Sequence, residues 1–293
     1  MLVRLLFKKS ATDSGLMTLI HSTSEFGAWR KSVANQTVAF VPTMGALHNG
    51  HHSLIAHAAQ QCDLVVASIF VNALQFGDAD DYNKYPRDEH SDYLASITAG
   101  ANIVFAPLQQ EIFPADFNRY LTPSAIANEY EGKHRPGHFA GVVTVVNRLF
   151  DIVQPDIAIF GAKDYQQVAV IRAMSSELHP TIRIVSLETV RDTDGLALSS
   201  RNARLSTASR LQAQVIPRAL HAIADLHAHG ETRSHVLESE GLKNFGAEPN
   251  MHVEYLDIVQ QDTLKTVDEA RNAVVLFAGV IDGVRLIDNL LLQ

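Results

Sequence analysis

The stretch Pro42-Thr43-Met44-Gly45-Ala46-Leu47-His48-Asn49-Gly50-His51-His52-Ser53-Leu54 constrains this chain more than any other. Just before it, Thr37 to Val41 reads as a short buried strand, and after it Ser53 to Gln61 has the apolar spacing of a helix. Glycines at a strand-to-helix turn let backbone approach a ligand closely. The free N–H groups and positive dipole end of the following helix then attract phosphate. His48 and His51, at i and i+3, share one face of the first turn, where two imidazoles can donate hydrogen bonds to phosphoryl oxygens. Gly-His-His alone is more simply a surface turn with solvated histidines. The whole strand–Gly–His–x–Gly–His–helix arrangement points instead to nucleotide phosphate binding.

The pattern around this unit extends it into a layered α/β fold. Thr18 to Ile20 reads as an edge strand, Ser24 to Val33 as a helix capped by Ser24, and Leu64 to Val71 as a continuous apolar strand. Asp88 to Ala99 is a helix closed by Gly100, followed by a strand over 102–106. An apolar helix over 142–153, a strand over 156–160, a helix over 164–178 and a strand over 182–187 complete the series. This βαβα order predicts a doubly wound, Rossmann-like parallel sheet, with ligands outside the carboxyl ends of its strands. After Glu188 the pattern changes to a long amphipathic helix over 206–229, an alternating strand over 253–259, and a hairpin around Ile281-Asp282-Gly283. The expected organisation is an N-terminal extension (1–16), a nucleotide-binding domain (17–188) and a smaller α+β lid domain (189–293). Two domains also suit a chain of 293 residues.

Composition narrows the function classes. A net charge of −8 and a pI near 5.9 argue against a broad nucleic-acid surface. The single cysteine, Cys62, excludes an internal disulfide, fits a reducing cytoplasm, and reads as an inert thiol at an apolar helix end. No apolar run approaches the ~20 residues that span a bilayer.

Five further segments carry polar groups at strand ends or loops. Asn72 and Gln75, beside apolar Phe76, suit the orientation of a small hydroxy acid; self-satisfied loop amides are the equal alternative. Asp78, Asp80 and Asp81 read as a solvated acidic cluster. Arg135 and His138 lie in a Gly- and Pro-bearing loop that can approach an anion or remain ordinary surface. Lys163 offers a compact charge for phosphate, Asp164 a helix cap, and Gln167 a polar group one turn on. Ser199, Ser200 and Arg201 supply donors for polyphosphate, or a Ser-capped helix start.

The His-x-Gly-His stretch resembles the signature of the nucleotidyltransferase superfamily, which includes class I aminoacyl-tRNA synthetases. The longer Pro-Thr-Met-Gly-x-Leu-His-x-Gly-His form resembles the pantothenate synthetases. Their Phe-Val-Asn-Pro-x-Gln-Phe segment is matched at Phe70 to Phe76, except that Ala73 replaces the proline and removes a constraint on the loop. Tyr85-Pro86-Arg87, His134 to Val142, Gly161-Ala162-Lys163-Asp164-Tyr165-Gln166-Gln167 and Leu198-Ser199-Ser200-Arg201-Asn202 follow in the family's order. Members of that family tend to begin near the position of Met17.

The resemblance implies ATP-dependent condensation of (R)-pantoate with β-alanine, releasing AMP and pyrophosphate, in a cytoplasmic homodimer that uses Mg²⁺. It implies ATP binding by Met44 to His51 (Met44, Gly45, Ala46, Leu47, His48, Asn49, Gly50, His51), by Gly161, Ala162, Lys163 and Asp164, and by Val190, Leu198, Ser199, Ser200 and Arg201. His51 takes the proton-donor role, and His48, Lys163, Ser199, Ser200 and Arg201 act on the phosphates. Asn72, Gln75 and Gln167 hold pantoate, Gln75 also meets β-alanine, and Asp92 is the metal-ligand candidate by register. An adenylyltransferase, which keeps AMP on its product, and a non-catalytic nucleotide-binding protein are the two rivals.

Overall fold

The structure is a computed structural model that describes residues 18–77, 79–246, 248 and 250–292. The expected extension over 1–16, and Asp78 of the acidic cluster, lie outside the described residues.

Six strands form one parallel sheet: β1 (Thr18–Ile20), β2 (Val38–Thr43), β3 (Leu64–Ile69), β4 (Ile103–Phe105), β5 (Ile157–Gly161) and β6 (Arg183–Leu187). Their order is β1-β4-β3-β2-β5-β6, and every pairing is parallel. The chain winds outward from β2 through β3 to β4, then crosses back to β5 and β6. The winding therefore reverses between β2 and β5, and a crevice opens there at the strands' carboxyl ends.

Side-chain alternation along the buried strands supplies two apolar layers. Val38 and Phe40 face one side with Val66 and Phe105; Ala39 and Val41 face the other with Val65 and Ala67. Helix α1 (Thr23–Ser32), α7 (His138–Val153) and α8 (Tyr165–Leu178) cover the first side, and α2 (Asn49–Gln61) covers the second. Helices α3 (Ala79–Asn83), α4 (Glu89–Ala99), α5 (Gln109–Ile112) and α6 (Glu131–His134) lie in the connections.

The remainder of the chain builds a second core. An antiparallel sheet of β7 (Met251–Gln260), β8 (Ala273–Ile281) and β9 (Val284–Leu292) packs on α9 (Thr207–Ala213), α10 (Val215–Ala228) and α11 (Ser234–Phe245). Asp282 and Gly283 both take positive φ, 51° and 71°, the conformation of a tight two-residue hairpin turn. Polar contacts join the two parts. Arg285 bonds both oxygens of Glu131 at 2.6 Å, and Asn289 donates to the carbonyls of Ala162 and Lys163 at 2.9 and 2.8 Å; within the second part, Arg191 forms a two-pronged bond with buried Asp288 at 2.7 and 2.9 Å.

Several elements differ from the sequence expectation. The helix after the His-bearing loop begins at Asn49 rather than Ser53, because His48 caps it. Ser22, not Ser24, caps α1. The expected long helix over 206–229 divides at Gln214, which places Pro217 in the first turn of α10, where a missing N–H costs nothing. Helix α11 was not among the expected elements.

Candidate active site

The β2–α2 loop turns on two left-handed residues, Gly45 (φ 80°) and Ala46 (φ 51°). Asp92 of α4 holds this turn from beneath: its two oxygens accept from the amides of Ala46 at 2.9 Å and Leu47 at 2.8 Å. A Cβ on Gly45 would stand 2.6 Å from an Asp92 oxygen, so glycine is required for contact as well as for φ. Asp92 was expected as a metal ligand. It is instead buried, engaged at both oxygens by backbone, and absent from the cavity wall.

The start of α2 also corrects the expectation of free amides awaiting phosphate. His48 Nδ1 accepts from the Gly50 amide at 3.1 Å, and the His48 amide donates to His51 Nδ1 at 3.3 Å. The amides of His51 and His52 donate to the His48 carbonyl at 2.8 and 3.1 Å. The two histidines form a reciprocal cap. Because each Nδ1 accepts a backbone hydrogen, each neutral ring carries its proton on Nε2. Burial, then the Lys163 charge, pushes His48 down to about 4; burial, then His48 itself, pushes His51 down to about 3. Near pH 7 the pair offers neutral N–H donors rather than imidazolium charge.

These residues border a cavity of about 230 Å³ at the crevice between β2 and β5. Met44, His48, Gly50 and His51 line it from the first loop; Gly161, Lys163, Asp164 and Gln167 from the turn after β5; Asn72 and Gln75 from the turn after β3. Val190, Leu198, Ser199, Ser200 and Arg201 close it from the far side. Gly45, Ala46, Leu47, Asn49 and Ala162 do not reach the wall. The first three are turned toward Asp92, which accounts for their absence. Val142, Val145, Val146 and Leu149 of α7 give the cavity an apolar side, where the sequence pattern indicated only an apolar helix.

Gln75 is set from several directions. Asn72 Nδ2 donates to Gln75 Oε1 and to the Gly141 carbonyl, both at 3.1 Å, and Gln75 Nε2 donates to Met44 Sδ at 3.0 Å. His138 Nδ1 donates to the Gln75 carbonyl at 2.8 Å, and its Nε2 accepts from Arg135 at 3.1 Å. Burial, with the Arg135 charge next, pushes His138 down to about 4. A Cβ on Gly141 would fall 2.3 Å from the Leu74 carbonyl, so α7 and the Ala73–Gln75 turn are in intimate contact. This contact constrains the loop that Ala73 was expected to loosen. Asn72 is almost fully buried within the network, so it shapes the wall more than it offers a free amide.

On the β5 side, Lys163 projects into the cavity, with no ion pair for its ammonium among the described residues. Asp164 occupies the cap position of α8 but makes no capping bond, contrary to expectation. Gln166 turns inward and binds Glu131, Ile126 and Glu129 through backbone, leaving Gln167 to face the cavity. Across from it, Ser199 caps the turn Ser200–Arg204, and Arg201 and Arg204 grip Asp81 of α3 at 3.1 and 2.9 Å. Asp81 is thus an ion-pair partner rather than a solvated loop carboxylate. Tyr85 was read only as a landmark. Its hydroxyl donates to the Gly45 carbonyl at 3.4 Å and also meets Ser200, so it bridges the two loops.

The chain resembles known proteins along almost its whole length. The sequence model described as pantoate-beta-alanine ligase matches residues 18–291. A pantothenate synthetase of Neisseria meningitidis serogroup A is 46% identical over 276 residues, covering 94% of this chain and 98% of that protein. One of Chloroflexus aggregans is 43% identical over 278 residues, covering 94% and 100%. The crystal structure of pantothenate synthetase from Thermus thermophilus superposes with a TM-score of 0.89 at 41% identity, covering 94% of this chain and 99% of that one. The Francisella tularensis pantoate-beta-alanine ligase, complexed with beta-gamma ATP and beta-alanine, gives 0.78 at 33% identity, covering 94% and 97%. Matches of this extent, over a cavity that gathers the same motifs, establish that this chain belongs to the pantoate–β-alanine ligase family.

Proposed function

We propose that this chain ligates (R)-pantoate to β-alanine at the expense of ATP, through a pantoyl-adenylate. One observation carries the reading. The turns after β2, β3 and β5 and the Leu198–Arg201 segment converge on one cavity, with phosphate donors on one part of its wall and two glutamines on another. A pantoate carboxylate oxygen attacks the α-phosphorus of ATP, and pyrophosphate leaves. The amine of β-alanine then attacks the pantoyl carbonyl, loses a proton, and AMP leaves. Neither step needs a protein nucleophile, so positioning and electrostatics carry the catalysis.

His48 and His51 donate Nε2–H to phosphoryl oxygens as charge builds there. Lys163, Ser199, Ser200 and Arg201 hold the polyphosphate; Gln75 and Gln167 hold pantoate, with Gln75 also beside the incoming amine. Met44, Gly161, Val190 and Leu198 border the nucleotide. Arg201 must exchange part of its contact with Asp81 for phosphate, which a partly exposed ion pair permits.

Among the described residues no group of three or more His, Cys, Asp or Glu side chains forms a metal cage, and Asp92 is engaged by backbone. The residues present do not fit a dedicated protein-held magnesium; the ion belongs on the triphosphate, where magnesium keeps most of its waters. A homodimer, a cytoplasmic location and a lid role for residues 189–293 complete the proposal. Among the described residues no helix is long and apolar enough to cross a membrane.

The test is pyrophosphate release from ATP, Mg²⁺ and (R)-pantoate, with and without β-alanine, with product mass determined. A single-turnover burst without amine, and pantothenate plus AMP with it, is expected. Release of pyrophosphate with AMP retained on the product would make the enzyme an adenylyltransferase instead.

A further inference from the structure

The acceptor amine in this reaction carries its own carboxylate, which neither the phosphate donors nor the two glutamines receive. Resting on the ligase reading, we infer that Arg135 binds the acceptor's carboxylate and thereby selects an amino acid over a simple amine.

Arg135 lies between α6 and α7, where the reaction cavity meets a neighbouring vestibule of about 530 Å³ that opens beside α3 and β9. Its guanidinium donates to His138 Nε2 at 3.1 Å and weakly to the Gln75 carbonyl at 3.5 Å. Both acceptors are neutral. The nearest carboxylate, Glu131, makes a long ion pair with it at 3.7 Å, beyond hydrogen-bond distance. Glu131 is already held by Arg285 through two bonds of 2.6 Å and by the Tyr255 hydroxyl at 2.7 Å. Arg135 therefore keeps a largely enclosed charge, its side chain only 24% exposed, with no carboxylate hydrogen-bonded to it. Burial and the charges of Arg201 and Arg285 outweigh Glu131 and hold it below the ordinary arginine value. A planar fork in this condition is a carboxylate receptor.

The other cations nearby have different occupations. Arg201 and Arg204 hold Asp81, Arg285 holds Glu131 and Glu254, and Lys163 faces the histidines. Arg135 is also tied to the same frame as Gln75, because His138 bonds both. An acceptor with its amine beside Gln75 and its carboxylate on Arg135 must span that frame. Two methylenes between the groups reach further than the single carbon of an α-amino acid.

The experiment compares β-alanine, its amide and propylamine as acceptors in the wild type, Arg135→Gln and Arg135→Lys, alongside the amine-free pyrophosphate burst. The wild type should prefer β-alanine to the amide by about 10–100-fold, the scale of a charge-assisted pair. Arg135→Gln should reduce that preference to within about threefold, through KM for β-alanine, while the burst falls far less. Arg135→Lys, which keeps a point charge but not the fork, should recover part of the preference, and it carries the test should Arg135→Gln fail to fold. An unchanged preference in either variant, or a burst and β-alanine KM impaired equally, would overturn the assignment. No burst from the wild type would sink the ligase reading itself, which separates that failure from this one.

Discussion

The two sides of the cavity are fastened by different kinds of bond. On the β2–α2 side, neutral or backbone-engaged groups hold the loop: buried Asp92 under the Gly45–Leu47 turn, and half-buried His48 and His51 capping one another. On the opposite side, the Ser199–Arg204 segment is latched to α3 by ion pairs of Arg201 and Arg204 with Asp81, whose partners are about one-third exposed. Buried hydrogen bonds in low dielectric set geometry firmly, whereas exposed ion pairs are weak and screened by salt. One wall is therefore held firmly, and the other by bonds weak enough to exchange.

Substitutions on the two walls should differ accordingly. The largest effect belongs to His51→Ala, which should slow pantoyl-adenylate formation by about 10²–10⁴-fold; an unaltered single-turnover rate would remove His51 from the chemistry. Asp92→Ala leaves two amides unpaired beneath the turn and should lower stability by roughly 2–4 kcal/mol in urea unfolding. A slower burst should accompany it. Wild-type stability in that variant would mean the turn is held from elsewhere.

Acid should act on the firmly held wall next. His138 falls from the ordinary 6.5 to about 4 in the folded state. The unfolded chain thus takes up its proton first as pH drops, so stability present above pH 6.5 is lost progressively down to about pH 4. This one residue accounts for roughly 3 kcal/mol of that loss, and His48 and His51 act in the same direction. His138→Gln should flatten the pH dependence of unfolding between those limits; an identical slope would show that the burial of His138 does not govern it. The smallest effect is expected from Asp81→Asn, at most about 1 kcal/mol of stability. Its signature is salt: added NaCl should change KM for ATP less in the variant than in the wild type, and equal salt responses would remove the latch.

Much of this was legible in the chain. Thr37 to Val41 and Leu64 to Val71 are apolar in runs typical of a doubly covered parallel strand, and with the alternating strand–helix order they pointed to the sheet class and loop placement. His48, His51, Lys163, Gln75, Gln167 and Ser199 to Arg201 were candidates through their polar chemistry and the family resemblance, and the winding reversal gathers them on one cavity. What remained hidden depends on partners far away in sequence. Asp92 looked like a metal ligand because an acidic side chain in a helix does not disclose that it lies beneath the turn 46 residues earlier. His48 and His51 looked like flankers of a phosphate site with free amides; only folding the turn showed that their Nδ1 atoms occupy those amides and fix the remaining proton on Nε2. The surroundings of Arg135 were hidden in the same way: its neighbour Glu131 is held by Arg285 from 154 residues further along the chain. Sequence determines periodicity, turn chemistry and the supply of polar groups, because these act over a few residues. Tertiary structure decides which charges are already paired, because pairing and desolvation depend on distances that local pattern does not encode.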